Sequence, residues 1–123
     1  MKRWVVLLCV FLFAFSIATP EYEMHRLING ARSDTLTVTE FLKDYANTHA
    51  IRMANRGYIY HDPCSGCAEI VGVIPGARTP WNIFNEWMES PLHRAIILDP
   101  THTRMGCAQV NRDGFDWWVC EFR

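Results

Sequence analysis

The sequence predicts an α+β domain in which helices come first and a β-hairpin ends the chain. The helices are predicted from apolar residues at helical spacing in the first half. The hairpin is predicted from Asp113-Gly114, a strong two-residue turn signal, between segments 104–111 and 115–122. The chain has 123 residues, half of them apolar, which is enough for one domain. Its 12 basic and 13 acidic residues argue against a nucleic-acid partner.

The first 18 residues predict a secretory signal peptide. A basic start is followed by an apolar run from Trp4 to Phe15 and by small residues before a cleavage site after Ala18. The run is short for a bilayer of about 30 Å, and an uncleaved anchor is the alternative interpretation. We therefore expect one secreted domain over residues 19–123, extracellular or periplasmic, with no transmembrane segment after cleavage.

Three helices are predicted, each from an apolar stripe and its end signals. The first stripe consists of Met24, Leu27, Ile28 and Ala31. The second helix is predicted to begin with a capping box of Thr37 and Glu40 and to end at Gly57. Its stripe includes His49, which we expect to be a hydrogen-bonded core residue. The third begins at Thr79-Pro80, ends at Ser90-Pro91 before another short turn, and has an apolar face of Trp81, Phe84, Trp87 and Met88.

The segment between the second and third helices, residues 57–78, is predicted to be irregular. It is interrupted repeatedly by glycine and proline, which punctuate any regular element. Tyr58 to Tyr60 is a candidate short strand within it.

Four cysteines remain after cleavage, which in a short secreted chain predicts two disulfides. A turn centred on Asp113-Gly114 places Cys107 opposite Cys120 at a non-hydrogen-bonded pair, where Cα atoms are about 4.5 Å apart. This favours a Cys107–Cys120 bridge and leaves Cys64 with Cys67, although four cysteines allow three pairings. For Cys64-Ser65-Gly66-Cys67 a structural bridge is favoured over a redox site, because no strand–helix unit surrounds the motif to activate a thiol. A zinc site from the two cysteines and His61 is disfavoured because a secreted protein is in an oxidising compartment.

Polar residues with the chemistry of a metal or acid–base site lie between positions 61 and 93. The set comprises two histidines and three carboxylates: His61, Glu69, Glu86, Glu89 and His93. Imidazole and carboxylate groups bind divalent metals such as zinc and transfer protons. Spacing alone favours the alternative that these are solvated loop residues. The two histidines without a partner in the sequence are interpreted as surface residues, and these are His25 and His102.

Several motifs occur in the order typical of one protein family. The segment from Trp87 to Arg94, Trp-Met-Glu-Ser-Pro-Leu-His-Arg, is similar to a Trp-Met-x-Ser-Pro-Gly-His-Arg motif. Segments 27–32, 46–57, 105–107 and 118–122 continue the match. With these motifs the chain resembles the CAP superfamily of cysteine-rich secretory proteins, antigen 5 and pathogenesis-related proteins. It is most similar to the short bacterial and phage-type members.

The resemblance implies an α-β-α sandwich around a small antiparallel sheet. It also implies a cleft with two histidines and two glutamates, in which some members bind zinc or another divalent ion. Carried over, the cleft residues are His61, Glu69 and His93. The second glutamate of the family falls on Ser90, so a further carboxylate would come from Glu86 or Glu89. Some members bridge cysteines placed like the pair in the hairpin.

Three functions follow as hypotheses. The leading one is a secreted protein that binds an unknown lipid, small molecule or extracellular protein, because the family does so and no nucleophile–base pair is evident. The second is a divalent-metal-dependent hydrolase in which His61 and His93 hold the ion and Glu69 is the base. The third is a structural or redox role for Cys64 and Cys67. No cofactor is implied beyond a divalent metal such as zinc.

Overall fold

The computed structural model describes residues 18–123, so the body of the predicted signal peptide lies outside the described residues. Within this range the chain forms four helices and four strands. In chain order they are α1 (Pro20–Ala31), β1 (Thr37–Val38), α2 (Glu40–Arg56), β2 (Ala68–Pro75), α3 (Pro80–Glu89), α4 (Pro91–Leu98), β3 (Arg104–Arg112) and β4 (Phe115–Phe122). The predicted α+β class is confirmed.

The four strands form one sheet in the order β1-β3-β4-β2. The pairs β3–β4 and β2–β4 are antiparallel, as expected, while the two-residue β1 runs parallel to β3. The sheet is therefore mixed rather than purely antiparallel. A parallel neighbour is possible here because the long α2 and its flanking segments separate β1 from the rest of the sheet along the chain.

The helices cover both faces of the sheet, which confirms the α-β-α sandwich. Helix α2 packs alone on one face through small side chains and Met53 against Val71, Ala108, Trp117 and Val119. The other three helices cover the opposite face around Trp118 and Phe122. Adjacent tryptophans on β4 therefore enter different cores, because successive side chains of a strand point to opposite faces.

Helix α2 begins two residues later than predicted. Thr39 is its N-cap, and the Thr39 hydroxyl accepts a hydrogen bond from the Leu42 N–H at 3.3 Å. The predicted capping box of Thr37 and Glu40 is wrong, because Thr37 pairs with β3 as part of β1. The predicted end at Gly57 is confirmed, since this residue adopts φ +76° in the left-handed region that favours glycine.

The prediction of an irregular segment is wrong for its second half. Residues 68–75 form β2, which pairs with β4 along its whole length. The strand contains a glycine and a proline, which usually disfavour β-structure, and each is tolerated for a separate reason. Gly72 faces α3, where a Cβ would lie 2.6 Å from the side chain of Ile83. Pro75 is the last residue of an edge strand, where a missing N–H donor costs little. Residues 58–60 do not form a strand.

Helix α3 begins at Pro80 as predicted, and its backbone entry is fixed by a hydrogen bond from Thr79 N–H to Asn82 Oδ1 at 2.9 Å. Its buried residues are Ile83 and Trp87. Trp81 is 54% exposed, so its predicted place on the buried face is wrong. The short turn expected after Ser90-Pro91 is a full helix, α4.

The predicted hairpin and both preferred disulfides are present. Cys107 lies opposite Cys120 in the β3–β4 register, with their Cα atoms 4.1 Å apart. The turn residues Asp113 and Gly114 have φ values of 52° and 78°, as a tight hairpin turn of this kind requires. The second bridge joins Cys64 and Cys67.

Candidate functional site

Glu69 lies at the centre of a polar cluster between α2 and the sheet. As the second residue of β2 it points toward α2, and its side chain is almost fully buried. Its Oε2 accepts a hydrogen bond from His49 Nδ1 at 2.8 Å, and its Oε1 accepts from His61 Nδ1 at 2.9 Å. The backbone N–H of Asp62 donates a third, 3.0 Å bond to Oε1. One carboxylate therefore joins α2, β2 and the loop that precedes β2.

The two predicted cleft histidines lie near each other at one edge of the sheet. His61 is largely exposed on the loop before β2, with 59% of its side chain accessible. His93 lies in the first turn of α4, and its Nδ1 is hydrogen-bonded to Ser90 Oγ at 2.8 Å. Partial burial lowers the pKa of His93, and the charge of nearby His61 lowers it further. His93 is therefore biased toward the neutral form that ligands to a metal require.

A depression of about 280 Å³ lies beside His93. Its lining is mostly apolar, and Glu86 supplies a carboxylate to it; the lining residues are Ile59, Val71, Gly72, Val73, Ile83, Glu86, Trp87, Ser90 and His93. Trp87 fixes one wall, because its Nε1–H donates to the Val71 carbonyl at 3.2 Å. Glu89 is exposed and accepts a bond from Asn85 at 3.2 Å instead. Of the two additional carboxylates, Glu86 is the one that the structure places beside His93.

A larger groove of about 730 Å³ lies elsewhere, along α1. It is bordered by Thr19 and Tyr22, so its outline adjoins the part of the chain that is not described. Its one imidazole is His25, which is hydrogen-bonded inside the core. We place the candidate site at the smaller depression, because two of the predicted residues, His93 and Glu86, line it.

Glu121 is a buried carboxyl group beside Glu69 to which no sequence motif pointed. It lies opposite Glu69 in the β2–β4 register and is fully buried. Burial and the adjacent Glu69 charge raise the pKa of Glu121 to about 9, so it holds a proton at neutral pH. The pKa of Glu69 is lowered: burial acts against ionisation, but hydrogen bonds from Glu121, the Asp62 N–H and His49 outweigh it. The signal available in the sequence was a lone carboxylate among apolar residues at 117–122.

The remaining histidines differ in how well they were predicted. His49 is buried and hydrogen-bonded, which confirms its predicted core position. The predicted surface position of His25 is wrong, because it is 8% exposed and its Nε2 accepts a bond from the Cys107 N–H at 2.9 Å. His102 is likewise not a surface residue. It is half-buried, with its ring centroid 5.7 Å from that of Phe122.

Two groups of side chains in the described residues have ligand atoms close enough to share a metal ion. In each group the atoms lie within 4.8 Å of one another: His49, Glu69 and Glu121 form one, and Cys64, Cys67 and Glu121 form the other. Both groups depend on Glu121, and a protonated carboxyl is a poor metal ligand. We therefore interpret them as a buried carboxyl pair and a disulfide beside it.

Comparison with known proteins gives one family match. A family model described as the cysteine-rich secretory protein family, CAP, matches residues 25–122. No curated protein matches the chain. In the described residues, no helix combines the length and apolar character needed to cross a membrane.

Three solved structures illustrate the similarity in fold. An outer surface protein from Borrelia burgdorferi has a TM-score of 0.73 and 18% identity, with 84% of this chain and 90% of that chain covered. An extracellular protein containing an SCP domain from Bacillus anthracis has a TM-score of 0.70 and 20% identity, with 84% and 39% covered. NaASP2 with Zn²⁺ has a TM-score of 0.58 and 11% identity, with 84% and 76% covered. At these identities the likeness shows the fold alone.

Proposed function

Because the chain belongs to the cysteine-rich secretory protein family, CAP, we propose that it acts outside the cell as a binding protein whose cleft takes a divalent metal ion such as zinc between His61 and His93. Two similar structures are described as an outer surface protein and an extracellular protein, which supports an extracellular role. A third contains zinc, which supports a divalent ion as the ligand to test first.

The observation that carries this proposal is how the two imidazoles are held. Each is fixed through its Nδ1 atom, His61 by Glu69 and His93 by Ser90. In the tautomers in which Nδ1–H donates to these oxygens, each Nε2 keeps a free lone pair. Histidine ligands of metals are typically oriented in this way, with the other ring N–H donating to a carboxylate or another oxygen.

In this arrangement Glu69 positions a ligand rather than binding the ion. Both of its oxygens already accept hydrogen bonds, from His49, His61 and the Asp62 N–H. The same occupation argues against the hydrolase alternative, in which Glu69 would have to accept a proton from water. Glu86 is the carboxylate available at the depression, and the apolar wall beside it suits an apolar portion of a further ligand.

Zinc titration by calorimetry on the oxidised domain tests the proposal. We expect the wild type to bind one zinc ion and the His61→Ala/His93→Ala variant to lose detectable binding. His102→Gln is the matched control, because His102 contacts Asp99 and Phe122 instead of the cleft. Glu69→Gln should weaken zinc binding by about 10- to 100-fold, the usual effect of removing an orienting carboxylate. A folded wild type that binds no zinc, or binding that survives the double substitution, would disprove the metal site.

The extracellular role has its own test. Expression of the full chain should release a product whose N-terminal residue is Thr19, as N-terminal sequencing would show. Retention of the uncleaved chain in the membrane fraction would contradict the predicted signal peptide.

A further inference from the structure

The bridge between Cys64 and Cys67 has features that a purely structural disulfide does not need. It closes a tight turn, in which the Cys67 N–H donates to the Cys64 carbonyl at 2.9 Å and Gly66 adopts φ +74°. A loop this short loses little entropy when it is crosslinked, so the bridge contributes less to stability than one that closes a long loop. Ser65 and Gly66 at its tip are exposed, which places the bridge at the surface.

The two sulfur-bearing residues differ in accessibility. Cys64 is buried, with 5% of its surface exposed, whereas Cys67 is half-buried. The other bridge, Cys107–Cys120, is 1% and 0% exposed and lies inside the core. An approaching thiolate can therefore reach the Cys67 sulfur, and Cys64 is the natural leaving group.

A buried carboxyl group lies beside this leaving group. One oxygen of Glu121 lies within 4.8 Å of both sulfur atoms, and Glu121 Oε2 accepts the Cys64 N–H at 3.4 Å. The Glu121 carboxyl group therefore lies between the Glu69 carboxylate, with which it shares a hydrogen bond, and the two sulfur atoms of the bridge.

We propose that Cys64 and Cys67 form a thiol–disulfide exchange site for protein dithiols, in which Glu121 carries the proton of the buried Cys64 sulfur. The Glu121 side chain is protonated at neutral pH because of its burial and the adjacent Glu69 charge, so a proton is available when needed. This role replaces the activation at a helix N-terminus that other dithiol sites use. Glu121 is linked to the metal cleft through Glu69, which holds His61, so the exchange is measured without added metal.

The exchange balances in two steps. A thiolate of the substrate dithiol attacks Cys67 Sγ, the bond between Cys67 and Cys64 breaks, and the leaving Cys64 sulfur takes the proton from Glu121. The second substrate thiolate then attacks its own sulfur in the mixed disulfide, and Cys67 leaves as a thiolate that is protonated by water. Two electrons pass to Cys64 and Cys67, the substrate becomes a disulfide, and solvent reprotonates Glu121.

Reduction of the folded, oxidised protein by dithiothreitol, the model dithiol, tests this proposal. Quenched alkylation and mass spectrometry should show Cys64 and Cys67 reduced first, while Cys107 and Cys120 stay bridged as an internal control. A Cys64→Ser variant treated with oxidised glutathione, a disulfide that has no second thiol to release the protein, should form a stable mixed disulfide on Cys67. Equal rates of reduction for the two bridges would overturn the proposal.

The role of Glu121 has a separate readout. We expect Glu121→Gln to react about 100-fold more slowly at pH 7, the low end of what a positioned acid supplies, and the exposed Glu89→Gln to react like wild type. The wild-type rate constant, divided by the thiolate fraction of dithiothreitol, should fall as pH rises through 9. If Glu121→Gln does not fold, this pH profile of the wild type still tests whether Glu121 transfers the proton. A flat profile, or a folded Glu121→Gln with the wild-type rate, would refute the proton transfer.

Discussion

His25 makes the stability of the domain depend on pH in a predictable direction. Its Nε2 accepts a hydrogen bond from the Cys107 N–H at 2.9 Å, which links α1 to β3 inside the core. Burial, helped by the positive charge of Lys43 on α2, lowers the pKa of His25 from 6.5 to about 4. A protonated ring would present a second donor to the Cys107 N–H, so protonation breaks this contact.

The direction and size of this change in the free energy of unfolding follow from the pKa values of His25 in the unfolded and folded chain. Above pH 6.5 neither the folded nor the unfolded chain is protonated at His25, and its contribution to stability is fully present. Between pH 6.5 and about 4 only the unfolded chain takes the proton, so the free energy of unfolding decreases as the pH is lowered. At pH 4.5 the expected loss is about 2.5 kcal/mol, because each tenfold difference in proton affinity is worth about 1.4 kcal/mol.

Urea unfolding followed by tryptophan fluorescence at pH 7 and pH 4.5 measures this loss. His25→Gln is the matched variant, because its amide oxygen can still accept the Cys107 N–H but does not titrate. Other histidines with lowered pKa values, His93 and His102, remain in both proteins, so their effects cancel in the comparison. We expect the wild type to lose about 2.5 kcal/mol more than the variant. Parallel losses in the two proteins would refute the assigned role of His25.

Three further predictions concern packing and crosslinks, each read from urea unfolding at pH 7. Gly106→Ala should lower the free energy of unfolding by about 3 kcal/mol or prevent folding, because the new Cβ would overlap the backbone of α2. The control Gly30→Ala has open space around it and should be neutral or stabilising. Equal effects of the two substitutions would contradict the close contact at Gly106. Arg32→Lys should lower the free energy of unfolding by about 2 kcal/mol, because the guanidinium donates to three carbonyl oxygens at and after the end of α4. A lysine ammonium group cannot make all three of these hydrogen bonds. An unchanged urea midpoint would contradict this prediction. Replacing both Cys107 and Cys120 with alanine should lower the free energy of unfolding by about 3 kcal/mol, because this bridge closes a loop across 13 positions. Replacing Cys64 and Cys67 in the same way should cost less, and a larger loss for that pair would contradict the prediction.

The parts of the fold that local residues determine were predictable from the sequence. The hairpin register follows from a two-residue turn, so the opposition of Cys107 and Cys120 could be counted outward from Asp113-Gly114. Strand β2 was not predictable in this way. Its partner β4 lies 40 or more positions away, and Gly72 within β2 is explained only by the contact with α3.

At the candidate site, too, contacts between residues close in sequence were easier to predict than contacts made by strand pairing. His61 and Glu69 are eight positions apart; the family resemblance placed both in one cleft, and their side chains are hydrogen-bonded to each other. Glu121 is 52 positions from Glu69, and only the β2–β4 register brings the two side chains onto one face. His25 was misplaced because helical periodicity identifies a stripe of apolar residues, while a polar side chain at its border is buried only if a partner, here the Cys107 N–H, satisfies it.

The carboxyl pair explains why the cleft depends on a residue outside it. Glu69 and Glu121 are opposite each other in the sheet, and two negative charges at that separation in the interior would repel each other strongly. A proton on Glu121 removes this repulsion and leaves Glu69 charged, so that it can hold His49 and His61 together. An apolar side chain at position 121 would remove the hydrogen bond that favours ionised Glu69 and raise its pKa. The orientation of His61 in the cleft therefore rests on a proton held on the neighbouring strand.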